Sequence, residues 1–184
     1  MDDEAYDGLI GAFPYAVRSS ESWVFRSYVF VGGLASVLAA LLFLFGIIAI
    51  LGETSVASSG ALSLTQAFFV VVALGVIVPL LAPVLFVARQ HRKGLSTDGY
   101  DLAMGAVGYG FLVSLYVALI VSVPPNAQEP TGGALGPLVE FLYDLPQWAG
   151  VIPMAVAAAA ILLLHRFAAG RSGAGEADAD GGTS

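Results

Sequence analysis

The 184-residue chain has no cysteine, which excludes a disulfide framework, a thiolate metal site and a cysteine nucleophile. Charge is the second scarcity: 11% of the residues are charged, against about 25% in an ordinary soluble domain. Positive charge is scarcer still, with 7 Lys and Arg against 14 Asp and Glu and a net charge of −7. Such a chain cannot cover a soluble surface, and its charges fall almost wholly outside four apolar blocks. Histidine is limited to His91 and His165. The H-E-x-x-H and P-loop patterns are missing, as is a G-x-S-x-G with a plausible histidine partner. No catalytic residue, metal ligand or cofactor site is therefore assigned, an enzyme is not expected, and nucleic acid is not an expected partner.

What the chain does have is apolar length. Hydrophobic residues make up 58% of it, and its mean hydropathy is +0.84. The blocks 28–51, 65–88, 102–123 and 149–167 each suit one crossing of a hydrocarbon core about 30 Å thick. The fold class expected is an all-α membrane protein, a four-transmembrane-helix bundle with a short outer interfacial helix. The first block starts too late and runs too long for a secretory signal peptide, and it reads as an uncleaved signal anchor.

Orientation follows from the basic knot Arg89-Gln90-His91-Arg92-Lys93, between the second and third spans. Short cytoplasmic loops collect Lys and Arg, so Arg89, Arg92 and Lys93 place this loop inside the cell. Arg18, Arg26, Arg166 and Arg171 then fall on the same side, and neither outer segment, 52–64 or 124–148, contains Lys or Arg. Both termini are expected in the cytoplasm of a plasma-membrane protein whose one sure partner is the lipid bilayer.

Residues 1–27 form a cytoplasmic leader. Within it Tyr6, Leu9, Ile10 and Phe13 mark one face of a short interfacial helix that Pro14 would end. Residues 28–169 are the transmembrane domain, and 170–184 form an acidic tail expected to be disordered, since it cannot bury enough apolar surface to fold. Between the third and fourth spans, Leu138, Phe141, Leu142 and Leu145 oppose Glu140 and Asp144. That pattern predicts an outer helix lying in the membrane plane, with Tyr143 and Trp148 suited to the interface.

The first three spans carry no charged residue between their ends, which argues against a proton pump or secondary transporter working through one subunit. His165 is read as ending the fourth span beside Arg166, where positive charge suits a helix C-terminus. Asp98 and Asp101 form a D-x-x-D pair before the third span. Asp98-Gly99 resembles the start of the CDP-alcohol phosphotransferase motif, which would imply a lipid diphosphate and Mg²⁺. The downstream Arg, Gly and two Asp of that motif are missing, so Asp98 is read as a helix cap and Asp101 as a first-turn acid.

Two patterns suggest where helices meet. Ala106, Gly110, Ser114, Ala118 and Ser122 place a small residue at every fourth position of the third span, and Gly32, Ser36 and Ala40 do so in the first. Small residues four apart let helix backbones approach closely. In the second span, Pro79 and Pro83 free the carbonyls of Gly75 and Pro79 and predict a kink. Tyr109 and Tyr116, seven apart on the third span, are candidate partners for those carbonyls.

Acidic termini, scarce Lys and Ala/Gly/Val-rich spans resemble small multi-pass haloarchaeal membrane proteins of unknown function, with a high-GC bacterium as the other source of such a composition. The function expected is non-enzymatic, an accessory or structural component packing against itself or an unknown membrane partner. An oligomeric channel or small-solute transporter is the alternative, and a membrane enzyme of lipid metabolism is third.

Overall fold

The computed structural model describes residues 8–53, 59–94, 99–129 and 132–180, with side chains over 11–52, 64–94, 99–129 and 132–168. Among the described residues the chain is helical and has no strand. The order is α1 (Gly8–Ser19), α2 (Trp23–Glu53), α3 (Ser59–Arg92), α4 (Tyr100–Val121), α5 (Gly136–Tyr143) and α6 (Val151–Asp180), with short 3₁₀ turns at Pro125–Ala127 and Gln147–Gly150. Four stretches are long and apolar enough to cross a membrane: Trp23–Gly52, Leu64–Arg92, Tyr100–Val121 and Gln147–Ala168.

α2 and α3 outrun their apolar blocks at both ends and α6 at its C-terminal end, whereas α4 stops two residues short of its block, because a helix ends where its capping ends and not where hydropathy falls. Ser22 caps α2 through its Oγ, which accepts from the Phe25 amide at 3.3 Å, and Arg26 thereby enters the helix. At the other end of the first hairpin, Arg89 to Arg92 belong to the last turn of α3 and not to a loop. Positive charge there complements the helix dipole, and Gly94, at φ 67°, turns the chain out of the helix as a C-terminal glycine does. The cap of α4 is Gly99 in a left-handed conformation with no side-chain bond, and Asp98 lies outside the described residues.

Pro14 does not end α1, which runs on to Ser19. The proline is exposed, whereas Ala12 and Ala16 on the opposite side are buried, so the missing amide donor falls on the unpacked face. Of the expected face, Tyr6 lies outside the described residues. Among the described side chains of the helix, Ala12 and Ala16 are fully buried, and α1 packs against α3 and α2. It docks within its own chain, antiparallel to α2, with the Phe13 ring 2.9 Å from where a Cβ on Gly33 would stand.

At the far end, α6 continues to Asp180, across most of the segment expected to be disordered. The composition of 170–184 excludes a packed unit but not a helix already nucleated upstream, since propagation adds one hydrogen bond per residue fixed. His165 is consequently in the interior of α6 and not in its final turn.

The core lies toward one end of the bundle. Phe25, Tyr28 and Val29 of α2 are buried with Leu80, Val84 and Val87 of α3, Met104 and Phe111 of α4 and Ile161 of α6. Beyond Ser36 in α2 and before Val76 in α3, no described residue of either helix is buried. There the two helices meet mainly each other, as at the edge-on pair Phe43–Phe69, 5.3 Å between centroids. The opposite end of α4 is covered by α5, the 3₁₀ turn 147–150 and α6. Leu142 of α5 is buried while Leu138 and Phe141 stay exposed, so one apolar edge of this helix packs and the other faces outward.

Candidate functional site

Lipid tails are as apolar as leucine, so helices in a bilayer are held by close packing and by hydrogen bonds between them. Both concentrate in the buried half. Gly105 and Gly108 of α4 face α2 so closely that a Cβ on Gly105 would stand 2.8 Å from the Phe25 Cα, and one on Gly108 would stand 2.5 Å from the Tyr28 ring. The Tyr28 hydroxyl donates to the Leu80 carbonyl at 2.8 Å, in the turn of α3 bracketed by Pro79 and Pro83. Its ring meets Tyr109 edge-on at 5.4 Å, and the Tyr109 hydroxyl donates to Ser27 Oγ at 3.0 Å. One pair of tyrosines thus ties α2 to both α3 and α4.

The proline turn finds its hydroxyl in Tyr28, 52 residues away, and the acceptor is Leu80, not the freed carbonyl of Gly75 or Pro79. Tyr109 is near but bonds to α2, and Tyr116 is 66% exposed and faces away from the bundle. The small-residue series of α4 divides in the same way. Ser114 and Ala118 are buried, whereas Ala106, Gly110 and Ser122 are exposed, and a Cβ on Gly110 would meet nothing within 4 Å. Steps of four overshoot a 3.6-residue turn by about 40° each, so five members sweep across the helix surface instead of holding one face. In α2, Gly32 and Ser36 are buried and Ala40 is exposed. The Ser36 hydroxyl returns to the Gly32 carbonyl at 2.7 Å.

A second polar cluster sits at the end where α3 finishes and α4 begins. His91 Nε2 and Asp101 Oδ2 are 2.8 Å apart, both largely buried, which joins α3 to α4. Tyr100 and His165 Nδ1 are 2.9 Å apart, which joins α4 to α6. The His165 ring also stacks on Phe86 of α3, 4.0 Å between centroids and 5° from parallel. Asp101 Oδ1 and Gln90 Nε2 are buried without a partner, on the same turns as the His91–Asp101 pair. Arg89, Arg92, Lys93 and Arg166 are exposed around this cluster. Because Phe25 lies against Gly105, the start of α2 is at this end as well, with Arg18 and Arg26. It is the basic end of the molecule.

Chemically the cluster is a set of helix ties. Each imidazole has one ring nitrogen in a hydrogen bond to a neighbouring helix, and no serine, threonine or cysteine nucleophile is bonded to either ring among the described residues. No group of three His, Cys, Asp or Glu is placed to hold a metal ion among the described residues. Gly105, Gly108, Tyr28, Phe86 and Tyr100 carry these contacts, and pattern reading does not pick them out. Tyr28 and Tyr100 stand at span edges, where an aromatic reads as an interface anchor, and Gly105 and Gly108 are three apart and not four.

A family model matches residues 1–169. The chain belongs to that family, described as a domain of unknown function (DUF8056). The matched DUF8056 span takes in α1 to α5 and the apolar part of α6, and it stops just before 170–184. No curated protein matches the chain, and no solved structure does.

Proposed function

We propose that this chain is a non-enzymatic, multi-pass protein of the plasma membrane, an accessory or structural component that packs against itself or a membrane partner. Its basic end faces the cytoplasm and places both termini there. Support comes from Arg18, Arg26, Arg89, Arg92, Lys93 and Arg166, which share that end, and from the tendency of short cytoplasmic loops to collect Lys and Arg. The acidic, lysine-poor composition fits a haloarchaeal membrane protein.

The observation that carries the reading is how side-chain hydroxyls at membrane depth are used. Those of Tyr28, Tyr109, Ser36 and Ser114 close onto a helix of the same chain, which leaves helix packing as the chemistry on offer. The outward face of α4, with Ala106, the open Gly110 and the exposed Tyr116, is the surface assigned to association. Gly110→Leu tests it: the variant keeps its thermal stability in detergent but no longer co-purifies from native membranes with a second copy or a partner. Unchanged co-purification refutes association through this face. Solute flux in liposomes from the purified protein refutes the packing role and favours a channel.

A further inference from the structure

Beside the buried core, α1 and α2 enclose a groove of about 490 Å³, within the 300–1,000 Å³ of pockets that take a small ligand. Its walls are Phe13, Pro14 and Val17 of α1 and Val29, Phe30 and Gly33 of α2, with Arg18 as the one charged lining residue. Gly33, with no side chain, lets α1 approach α2 closely at the groove wall. The Phe13 ring lies over Gly33 and holds α1 against α2 at that level, while Phe30, also exposed to the outside, borders the open side.

Charge is arranged at one end only. Arg18 is in the last turn of α1, one turn beyond Pro14, toward the basic end of the molecule. Arg26 stands one turn before Phe30 on the same stripe of α2, four and seven residues ahead of Phe30 and Gly33. Both are exposed, and neither is in an ion pair among the described residues. Glu21, in the turn between them, is exposed and pairs with neither. The result is an apolar trough with two guanidinium groups toward its mouth that are in no ion pair among the described residues, and guanidinium matches phosphate as a two-pronged donor.

We propose that this groove binds an anionic phospholipid of the leaflet at the basic end, with the phosphate held between Arg18 and Arg26 and one acyl chain lying along Phe13, Val17 and Phe30. The proposal rests on the chain spanning a bilayer, and it is independent of association through α4. A lipid seated there staples α1 to α2.

The test uses the full chain in vesicles containing equal parts of phosphatidylglycerol and phosphatidylcholine. A trace of either lipid carries a photoactivatable acyl chain, and cross-links are mapped to peptides. The phosphatidylglycerol probe is expected to label residues 13–33 up to about 25-fold more than the phosphatidylcholine probe, since each of the two arginines near an anionic lipid contributes about fivefold. Arg18→Gln and Arg26→Gln should each reduce that preference by about fivefold, and together abolish it, while labelling of α3 residues 68–75, none of them buried, stays constant. Both arginines are exposed, so the thermal midpoint in detergent should be unchanged, which separates lost binding from lost folding. Val17→Trp, which fills the groove and keeps both charges, should reduce labelling by both probes. Equal labelling by the two probes in the unmodified chain, or a preference that survives in the double variant, overturns the proposal.

Discussion

Two glycines of α4, five residues apart, should respond in opposite ways to the same substitution. At Gly105 an added Cβ would stand 2.8 Å from the Phe25 Cα and 3.0 Å from its amide nitrogen, and backbone atoms cannot rotate aside. To reach an ordinary contact of 3.4 Å, α2 must move out by about 0.6 Å. That shift stretches the 3.0 Å Tyr109–Ser27 bond past useful hydrogen-bond length and loosens the Tyr28 ring over Gly108. Overpacking of this kind costs about 1–3 kcal/mol. At Gly110 the same methyl group meets nothing, and replacing a helical glycine by alanine favours the helix by about 1 kcal/mol. Thermal unfolding in detergent, followed by far-UV circular dichroism, compares Gly105→Ala with Gly110→Ala. The first should melt several degrees below the parent, at about 2–4 °C per kcal/mol for a chain of this size, and the second at or above it. If Gly105→Ala were as stable as Gly110→Ala, the close approach of α2 and α4 would be wrong.

Further outcomes follow from the hydrogen bonds. Tyr28→Phe should lower stability by about 0.5–1.5 kcal/mol, the worth of one hydrogen bond, whereas Tyr116→Phe should leave unfolding unchanged because its hydroxyl faces away from the bundle. His165→Phe keeps a ring on Phe86 and loses the Tyr100 bond, so it should cost less than His165→Ala, which loses both; equal melting points would show that the stack contributes nothing. For orientation, a cysteine replacing Asn126 should react with an impermeant maleimide on intact cells, and one replacing Lys93 only after permeabilisation. The reverse pattern would invert the topology.

Much of the scaffold was legible in the sequence because it depends on local composition. Four apolar blocks predict four helices, and Pro124-Pro125 and Pro146 bound them where the helices in fact stop short. Helix ends were less legible. The Ser22 cap and Gly94 lengthen α2 and α3 beyond their apolar blocks, and α6 propagates past Phe167 through residues that hydropathy discards. The docking of α1 was readable only as a tendency to be helical, since Ala12 and Ala16 carry no hydropathy signal strong enough to name a partner.

Sequence alone determined that this chain has the apolar length to cross a bilayer four times and that its positive charge gathers at one set of span ends. Both are properties of contiguous residues, and transfer from water to hydrocarbon is additive along them. Tertiary structure alone decided which face of each helix is inward. A four-residue repeat drifts around a 3.6-residue helix, so Gly110 and Gly105 are equivalent in composition and opposite in environment. The same holds for the tyrosines. Tyr28, Tyr109 and Tyr116 are chemically alike, but only the crossing of α2 with α3 and α4 brings the Tyr28 hydroxyl to the Leu80 carbonyl and leaves Tyr116 outside. Those contacts join residues far apart in the chain, and their energies depend on distances that only the packed bundle sets.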